Sequence, residues 1–411
     1  IHALLADMYL WRAGMVYNGR AKGFPVVNEK GDTLTTAQEK SLATDLMKKT
    51  ISHADYVIKQ QMDEFKLDLD LNNVPQDDKR RAQTYPLIQS EASSSGIFDA
   101  GYSDVLGSSN SSESVFELQY DGVNVKNGVI TEMFYGNSGS GGYKSGLMLA
   151  NPSLFSKDAP VDPAKGYGRT DMRFVSYTLR NDESAKTNAV SIVKGAAKSV
   201  FITFSGTALG DITKSTGSYS MQEASSQSTN WPVYRLSDMM TLKAEAMARL
   251  GGFGLPDYPE RDTYRILDEL FRRNNPTADT VAASSNLFCK RLRSYKAFKA
   301  EDDKDGTGWK KRYEDYGSPL KLAFNERQRE FLGEGKRWYD IVRECEFRGA
   351  TKDVLSDWVG LSSVVRNRLR SLWSLYNPIY LEELKVNGKE YGSKTGQLTQ
   401  NPAWEKYMPK S

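Results

Sequence analysis

Residues that could carry out chemistry are sparse in this chain of 411 residues. Its two histidines, His2 and His53, stand alone on predicted helices and form no HExxH-type metal spacing. An isolated histidine on a helix usually has a packing or surface role. The chain also lacks the GxSxG turn that presents a serine nucleophile. The sequence therefore predicts no metal centre, no cofactor and no hydrolase of the esterase type.

Three further clusters could be taken for sites. Residues 136–146, GNSGSGGYKSG, lack the GK[ST] of a phosphate loop, so we interpret them as a flexible loop. Residues 302–306, DDKDG, offer oxygen ligands for calcium but lack the distal Glu of an EF-hand, and clustered acids are more often solvated. Acid pairs such as residues 77–78 and 302–303 would suit a glycosidase only across a cleft of defined width. The sequence leaves that alternative open.

Composition excludes several classes of protein. The net charge of +3 gives no strong field for nucleic acid. No run of 18 or more apolar residues and no signal peptide occur. Cys289 and Cys345 have no CxxC spacing and are interpreted as buried thiols. The chain opens inside a helical pattern without Met, which suggests that an N-terminal portion is missing from it.

Periodicity predicts a mostly α fold in three segments of one composite domain. In residues 1–71, one helix has the apolar stripe Ile1, Leu4, Leu5, Met8, Trp11 and Met15, and a second runs from Thr36 to Phe65. Small residues at their contact, Ala3, Ala6 and Ala54, are typical of a tetratricopeptide-like helix pair. Residues 72–230 are predicted to be loop-rich, with short strands at 115–120 and 200–204, and to carry part of the ligand surface.

Helical periodicity returns in residues 231–411, with helices predicted at 235–250, 260–273, 284–299, 320–343 and 361–375. The stretch 320–343 reads LKLAFNERQREFLGEGKRWYDIVR. Gly333 and Gly335 predict a joint between two helices, and Phe324, Phe331 and Trp338 are predicted in the core. We expect its charged residues to pair near the joint and serve structure rather than contact ligand; these are Glu326, Arg327, Glu334, Arg337 and Asp340.

Several separated stretches resemble the SusD/RagB family in the order that the family uses. Residues 320–343 are similar to its signature of an ER..EL helix followed by GEG.R..D..R. HALLADMYLW resembles an early helix of the family, SESVFELQYDG a short strand, and Asp171 with Arg173 its D.R element. WPVYRLSDMMTLKAEAMARLG, with Arg235, resembles a later helix. Residues 376–380 and 400–402 resemble the closing PIP and QNPGY elements, although Asn377, Ala403 and Trp404 depart from them.

The resemblance implies a non-catalytic protein at the surface of Bacteroidota-type bacteria. It would be a lipoprotein of the outer membrane, with tetratricopeptide-like helix pairs, attached through an N-terminal lipid anchor that is absent from this chain. It would capture oligosaccharides and deliver them to a partner TonB-dependent, SusC-like transporter. Peptide capture by the same scaffold and, from another class, a helical glycoside hydrolase remain as alternatives.

Ligand contacts are predicted for aromatic residues in loops that match no family motif. Sugar rings present apolar CH faces that stack on exposed aromatic rings. Tyr135, Tyr143 and Tyr219 are each flanked by Gly, Ser or Asn, and Trp309 is the alternative candidate. Each of these rings could instead pack its own loop. The sequence does not identify the glycan.

Overall fold

The computed structural model describes residues 1–75, 80–90, 92–134, 136–137, 143–144, 146–151, 154, 166–167, 171–179, 190–205, 212, 215–222, 228–277, 318–388 and 398–405. Their helices are α1 (His2–Val16), α2 (Thr36–Leu71), α3 (Ala100–Tyr102), α4 (Gly128–Met133), α5 (Arg173–Ser176), α6 (Leu236–Gly252), α7 (Glu260–Asn274), α8 (Pro319–Glu330), α9 (Arg337–Arg348), α10 (Ser363–Arg368) and α11 (Leu381–Asn387). Short π-helical turns cover Ser103–Gly107 and Val354–Trp358, and a 3₁₀ turn covers Leu372–Leu375.

The strands are short and form small antiparallel sheets. They are β1 (Gly96–Phe98), β2 (Ser114–Leu118), β3 (Gly136–Asn137), β4 (Tyr143–Lys144), β5 (Leu149–Ala150), β6 (Val190–Ser191), β7 (Ala197–Phe204), β8 (Ser215–Met221) and β9 (Trp231–Arg235). One sheet has three strands in the order β1-β7-β8, and the pairs β2-β9, β3-β4 and β5-β6 complete the set that the structure describes. The predicted mostly α fold with a loop-rich region of short strands is confirmed.

The chain divides into two compact units, each assembled from segments that are distant in sequence. The first contains residues 1–10 and 47–337, and the second contains residues 11–46 and 338–411. In the first unit, α6, α7 and α8 pack against one another. The same unit contains a buried apolar cluster on the inward face of the β1-β7-β8 sheet, where Ile97, Val200 and Ile202 are fully buried.

In the second unit, Lys22 joins α1 to α9. Its ammonium donates to the carbonyl oxygens of Gly14 and Met15, at 2.8 Å each, and to the Glu346 carboxylate at 3.1 Å. Both charged side chains of this pair are buried. The cation therefore binds helix carbonyls and a carboxylate at once, which compensates for its removal from water.

The predicted apolar stripe of α1 is wrong. Ile1, Leu4 and Met8 are exposed, and the buried face holds Ala3, Ala6 and Leu10 instead. Small side chains allow helices to approach closely, and this requirement outweighs the burial of the larger residues on the opposite face. The predicted contact residues Ala3, Ala6 and Ala54 are all buried, as expected.

The second helix begins where the sequence places it and continues six residues beyond the predicted end. Gln38 Oε1 accepts from the Thr35 backbone N–H at 2.9 Å, and Thr35 Oγ1 accepts from the Gln38 N–H at 3.3 Å. This reciprocal cap satisfies two amides that the first turn leaves without helical partners. The helix ends at Leu71, so Phe65 lies within it.

The joint predicted within residues 320–343 is present. Gly333 and Gly335 have φ angles of +79° and +76°, which favour glycine, and they lie between α8 and α9. Phe324 and Phe331 are buried as predicted. Trp338 is not a core residue, because it is 42% exposed. It occupies the first turn of α9, whose buried face begins at Asp340.

The helix predicted at 361–375 is interrupted. Helix α10 covers only Ser363–Arg368, and a separate 3₁₀ turn begins after Ser371, whose hydroxyl accepts from the Ser374 N–H at 3.3 Å. The serine competes for backbone amides and caps a new turn instead of extending the helix. The helix predicted at 284–299 lies outside the described residues.

Candidate functional site

The four aromatic residues predicted to bind ligand are described to different extents. Tyr135 and Trp309 lie outside the described residues. Tyr143 belongs to β4, which pairs with β3. Tyr219 lies on β8, is partly buried, and donates its hydroxyl to the Val175 and Thr178 carbonyl oxygens at 2.9 and 3.1 Å. Its ring packs against the apolar cluster. A ligand contact by any of the four stays a prediction.

A buried ion cluster lies in the first unit. We define it by five cations and five carboxylates that are all buried and linked by ion pairs: Arg173, Lys194, Arg235, Arg273 and Arg329 with Glu113, Asp171, Glu326, Glu330 and Glu334. Opposite charges are equal in number. The cluster therefore has no net charge. A buried net charge would be strongly destabilising.

Glu330 is the centre of the ion cluster. Its two carboxylate oxygens accept hydrogen bonds from Arg173 at 2.8 Å, from Arg235 at 2.6 Å, from Arg273, and from the Asn274 amide at 3.2 Å. Burial alone would raise the pKa of Glu330, but the surrounding arginines outweigh it and hold the pKa well below its usual range. Glu330 is therefore a carboxylate anchor and not a proton donor.

Glu334 repeats this arrangement beside the glycine joint. It binds the Arg235 guanidinium at 2.8 Å and the Lys194 ammonium at 2.5 Å. Burial would raise the pKa of Glu334, but Arg235 and Lys194 hold it at about 2. Burial lowers the pKa of Lys194 to about 8, against the attraction of Glu334. Lys194 also lies over the Tyr177 ring, 3.9 Å from its centroid, which gives the cation a further favourable contact.

Local structure explains how distant residues reach the cluster. Glu326 and Glu330 are four residues apart on α8 and so project from one side of the helix. Arg235 stands at the end of β9 and caps α6, where its backbone N–H donates to Asp238 Oδ2 at 3.2 Å. Arg173 begins α5, and Asp171 binds its guanidinium at 2.8 Å. A helix, a strand end and a tight turn thus present their charges to one point.

The predicted structural pairing of the charged signature residues is present. Glu326 and Glu334 belong to the cluster, and Arg327 Nη1 donates to the Thr241 hydroxyl at 2.8 Å. Arg337 donates to the Phe324 carbonyl oxygen at 3.0 Å and stacks on its ring. Asp340 binds Arg343 at 2.8 Å. Their lack of ligand contact stays a prediction.

Among the described residues, the cavity that adjoins the ion cluster is small. It is lined by Phe134, Lys194, Trp231, Gly333 and Glu334, among others, and its volume of 20 Å³ suits one water molecule. Ligand pockets are typically about 300 Å³ or larger. The arrangement can hold elements together, and this cavity is too small for a sugar.

The closing motifs contact each other in the second unit. The Gln400 side chain accepts from the Ile379 N–H at 2.8 Å and donates to the Ile379 carbonyl oxygen at 3.1 Å. Asn401 Nδ2 donates to the Tyr376 carbonyl oxygen at 3.2 Å, and the Trp404 indole N–H donates to the same oxygen at 2.8 Å. Trp404 therefore ties the chain end to residues 376–380 despite its departure from the family pattern.

Two exposed aromatic residues were missed by the sequence analysis. Phe98 on β1 and Phe201 on β7 are 48% and 39% exposed and are direct partners in the antiparallel register. The signal for Phe201 was available, because the period of two in Val200-Phe201-Ile202 places Phe201 opposite the two buried residues. Nothing in the sequence around Phe98 identifies its partner strand.

The described ranges contain no group of three or more His, Cys, Asp or Glu side chains that could hold a metal ion. No helix among them is both long enough and apolar enough to cross a membrane. Cys345 is buried, and burial raises the pKa of its thiol to about 12, so it stays protonated. Cys289 lies outside the described residues.

Comparison with known proteins gives matches among solved structures. No protein-family model matches the chain, and no curated protein matches it. A SusD homologue from Bacteroides thetaiotaomicron is 16% identical to it, with a TM-score of 0.47, and the match covers 98% of this chain and 59% of that one. A SusD superfamily protein from Parabacteroides distasonis is also 16% identical, with a TM-score of 0.46 and coverages of 98% and 62%.

Surface glycan-binding protein A from Bacteroides thetaiotaomicron is a third match. It is 16% identical, with a TM-score of 0.36, and the match covers 92% of this chain and 66% of that one. The chain spans less than two thirds of the length of each of these three proteins. The names of the first two proteins include SusD, the family whose motifs this sequence resembles.

Proposed function

We propose that this chain is part of a SusD/RagB-type protein that captures oligosaccharides and hands them to a transporter, without catalysing a reaction. The observation that carries the proposal is the convergence of the sequence motifs on the buried ion cluster. Asp171 and Arg173, then Arg235, then Glu326 to Glu334 come from three stretches that resemble the family separately. Glu113 of a fourth stretch binds Arg273 in the same cluster at 2.9 Å.

Convergence supports the proposal because the motifs lie in separate stretches of the sequence, about 60 to 150 residues apart. Chance similarity in separate stretches gives no reason for their charged residues to meet. In this chain they form one buried network with short ion pairs, and Lys194 and Arg273 complete its charge balance. A buried charge is tolerated only when its partners are present, so the residues of this network must occur together. A family that shares the fold would therefore share these residues.

The finer parts of the proposal rest on the resemblance. They are attachment to the bacterial outer membrane through an N-terminal lipid anchor, exposure at the cell surface, and a partner TonB-dependent transporter. The partner is expected to receive the ligand directly. A stable pair of this kind would need an interface of at least about 1,600 Å².

Calorimetry tests ligand capture. The chain is titrated with neutral and acidic oligosaccharides and with mixed tryptic peptides, and the saccharide mixtures are then examined for cleavage products. We expect binding of at least one oligosaccharide with no cleavage. Arg337→Ala serves as a control that should leave the affinity unchanged, because Arg337 contacts the Phe324 backbone and ring. Binding of peptides alone, or release of shorter sugars, would contradict the proposal.

Purification tests the partner. The full-length protein is isolated from native outer membranes under mild detergent, and co-purifying proteins are identified by mass spectrometry. We expect a TonB-dependent transporter in a stable, stoichiometric complex. Preparations that consistently contain the full-length protein without any such transporter would refute delivery and leave ligand capture standing.

A further inference from the structure

The outward face of the β1-β7-β8 sheet combines aromatic rings with hydroxyl groups. Inward positions of the sheet are buried in the apolar cluster, and the alternate positions point away from it. The strand register groups these outward residues in rows. We call them the sheet platform: Phe98, Phe201 and Ser218 in one row, Gly96, Thr203 and Thr216 in the next, and Ser199 with Ser220 on the other side.

The two phenylalanines are close neighbours on this face. The Asp99 N–H donates to the Val200 carbonyl oxygen, and the Phe204 N–H donates to the Ser95 carbonyl oxygen. Hydrogen-bonded pairs alternate along an antiparallel ladder, so Phe98 and Phe201 form a non-hydrogen-bonded pair. In such pairs the Cα atoms are only about 4.5 Å apart and the side chains approach most closely.

Gly96 makes room for one of these rings. A Cβ atom at Gly96 would lie 3.0 Å from Cε1 of Phe201. The Phe201 ring therefore leans across the glycine, over the sheet surface, while remaining substantially exposed. Its neighbours along β7 on the same face are Ser199 and Thr203. Two large apolar side chains lie side by side on a face that otherwise carries hydroxyl groups. Contiguous exposed apolar surface of this kind is typical of a binding site.

The chemistry of the platform fits a neutral saccharide. Aromatic rings can pack against the apolar CH faces of a sugar, while serine and threonine hydroxyls both donate and accept hydrogen bonds to sugar hydroxyls. None of the platform residues carries an ionisable side chain. Lys198 is exposed but stands at the irregularity between Ala197 and Ser199, at the end of the platform. A carboxylated sugar would find no paired cation among the platform residues.

The size of the platform argues against a protein partner. Three strands about 4.8 Å apart and four residues of strand length give a face of roughly 10 by 14 Å. A standard protein interface buries about 800 Å² on each partner, several times this area. Apart from Phe98, Phe201 and Gly96, the platform residues are serines and threonines, whose hydroxyls suit hydrogen bonding to sugar hydroxyls. A short stretch of oligosaccharide matches both the area and the mixture of groups.

We propose that the sheet platform, centred on Phe98 and Phe201, is a binding subsite for a neutral oligosaccharide. This rests on the proposed function of oligosaccharide capture and names the surface and the ligand class that serve it. Phe98 and Phe201 supply stacking surfaces, and the flanking hydroxyls of Ser218, Thr203 and Thr216 supply hydrogen bonds. Neither Phe98 nor Phe201 is among the four aromatic residues that the sequence predicts.

Affinity measurements on matched variants test the subsite. The chain is titrated with maltoheptaose, cellohexaose, xylohexaose and mannohexaose as neutral probes and with oligogalacturonate as an acidic probe. For each neutral probe that binds, Phe98→Ala and Phe201→Ala should each weaken binding about tenfold, and the double variant more. Phe116→Ala is the control, because Phe116 is equally exposed on β2, outside the platform. It should leave the affinity unchanged. Circular dichroism and thermal melting establish that each variant is folded.

A tryptophan reporter gives a second readout that does not depend on loss of binding. Phe201→Trp retains a stacking ring, so the neutral probe should still bind, and the indole emission should shift when the sugar covers it. Phe116→Trp should show no shift at the same probe concentrations. This comparison also applies if an alanine variant fails to fold.

The outcomes separate the two proposals. If a neutral oligosaccharide binds and neither the double alanine variant nor the Phe201→Trp emission responds, the subsite is refuted and oligosaccharide capture stands. If only oligogalacturonate binds, the neutral class is refuted. If no saccharide binds, or only peptides do, both proposals fail.

Discussion

At the scale of single residues, Glu330 has the most concentrated set of charge contacts in the ion cluster. Three arginines and an asparagine donate to its two carboxylate oxygens. Glu330→Gln keeps the shape of the side chain but removes the charge that these guanidinium groups share. We expect the free energy of unfolding to fall by about 3 to 5 kcal/mol, because breaking a buried pair leaves cations uncompensated. Urea denaturation monitored by circular dichroism measures it.

Glu382→Gln is the matched control for that measurement. Glu382 pairs with Lys385 at 2.8 Å, but both side chains are exposed. Exposed ion pairs contribute at most about 1 kcal/mol and often nothing measurable. Equal losses of stability in the two variants would contradict the prediction, because they would show that the buried charge of Glu330 contributes no more than an exposed one.

The two histidines form a residue-scale contact that responds to pH. Their Nδ1 atoms are 2.8 Å apart, the His2 ring stacks on Tyr56, and the His53 ring stacks on Tyr9. Burial, His2 and Lys49 lower the pKa of His53 below 6.5. The unfolded chain therefore binds a proton at this position more readily than the folded chain does, so stability present above pH 6.5 is lost as the pH falls below it.

His53→Phe isolates this contribution, because it keeps a ring at the contact and removes the titration. We expect the stability of the wild-type chain to fall relative to the variant between about pH 6.5 and pH 5. Denaturation midpoints at pH 7.5, 6.0 and 5.0 measure the difference. Parallel pH profiles for the two chains would refute the assignment.

At the scale of elements, the pairing of β1 with β7 depends on a glycine. A Cβ atom at Gly96 would lie 2.2 Å from the Ile202 carbonyl oxygen, a distance that the backbone cannot accept without moving. Gly96→Ala is expected to destabilise the chain by about 1 to 3 kcal/mol through overpacking. Gly252→Ala, at the end of α6 with no atom within 4 Å of the new methyl group, should be neutral or stabilising. Thermal melting compares them.

Phe331 before the helix joint and Trp338 after it differ in their energetic roles. Phe331 is buried, and its ring centroid lies 4.7 Å from the Arg235 guanidinium and 4.9 Å from that of Arg327. Phe331→Ala should cost about 3 to 5 kcal/mol. Trp338→Ala should cost about 1 kcal/mol or less, because the ring is substantially exposed. A larger loss from Trp338→Ala than from Phe331→Ala would contradict the observed burial.

The helix elements show what a sequence pattern can and cannot determine. The start of α2 at Thr36 and the glycine joint were predictable, because each is set by local backbone chemistry, although the capping residue is Thr35. The buried face of α1 was not, because the apolar pattern contains two candidate faces and the neighbouring elements select the one with Ala3, Ala6 and Leu10. Spacing indicates that a helix is amphipathic but not which face is covered.

At the scale of the whole molecule, the sequence predicts individual residues better than the contacts between residues that are distant in the chain. The motifs that resemble a family identified Asp171, Arg173, Arg235, Glu326 and Glu334, although nothing local to any of them predicts that they share one cluster. Arg273 and Lys194 could not be identified, because they complete the charge balance from elements with no recognised motif. The platform residues Phe98 and Phe201 were missed for a related reason, since their proximity depends on pairing across about 100 residues of chain.

The charge balance of the ion cluster makes the molecule sensitive to acid, and Glu334 provides the test. Its pKa is about 2 in the folded chain, because Arg235 and Lys194 outweigh its burial, and 4.5 is the ordinary value for the unfolded chain. The contribution of the Glu334 charge to stability is fully present above pH 4.5 and is lost as the pH falls toward 2.

We expect the difference in unfolding free energy between the wild-type chain and Glu334→Gln to shrink below pH 4.5, by at most about 1.4 kcal/mol per pH unit. Urea titrations at pH 6.0, 5.0, 4.0 and 3.5 measure it. Glu113, whose pKa burial raises, is common to both chains and cancels in the comparison. A difference that stays constant down to pH 3.5 would mean that Glu334 is not held as a carboxylate by its two cations.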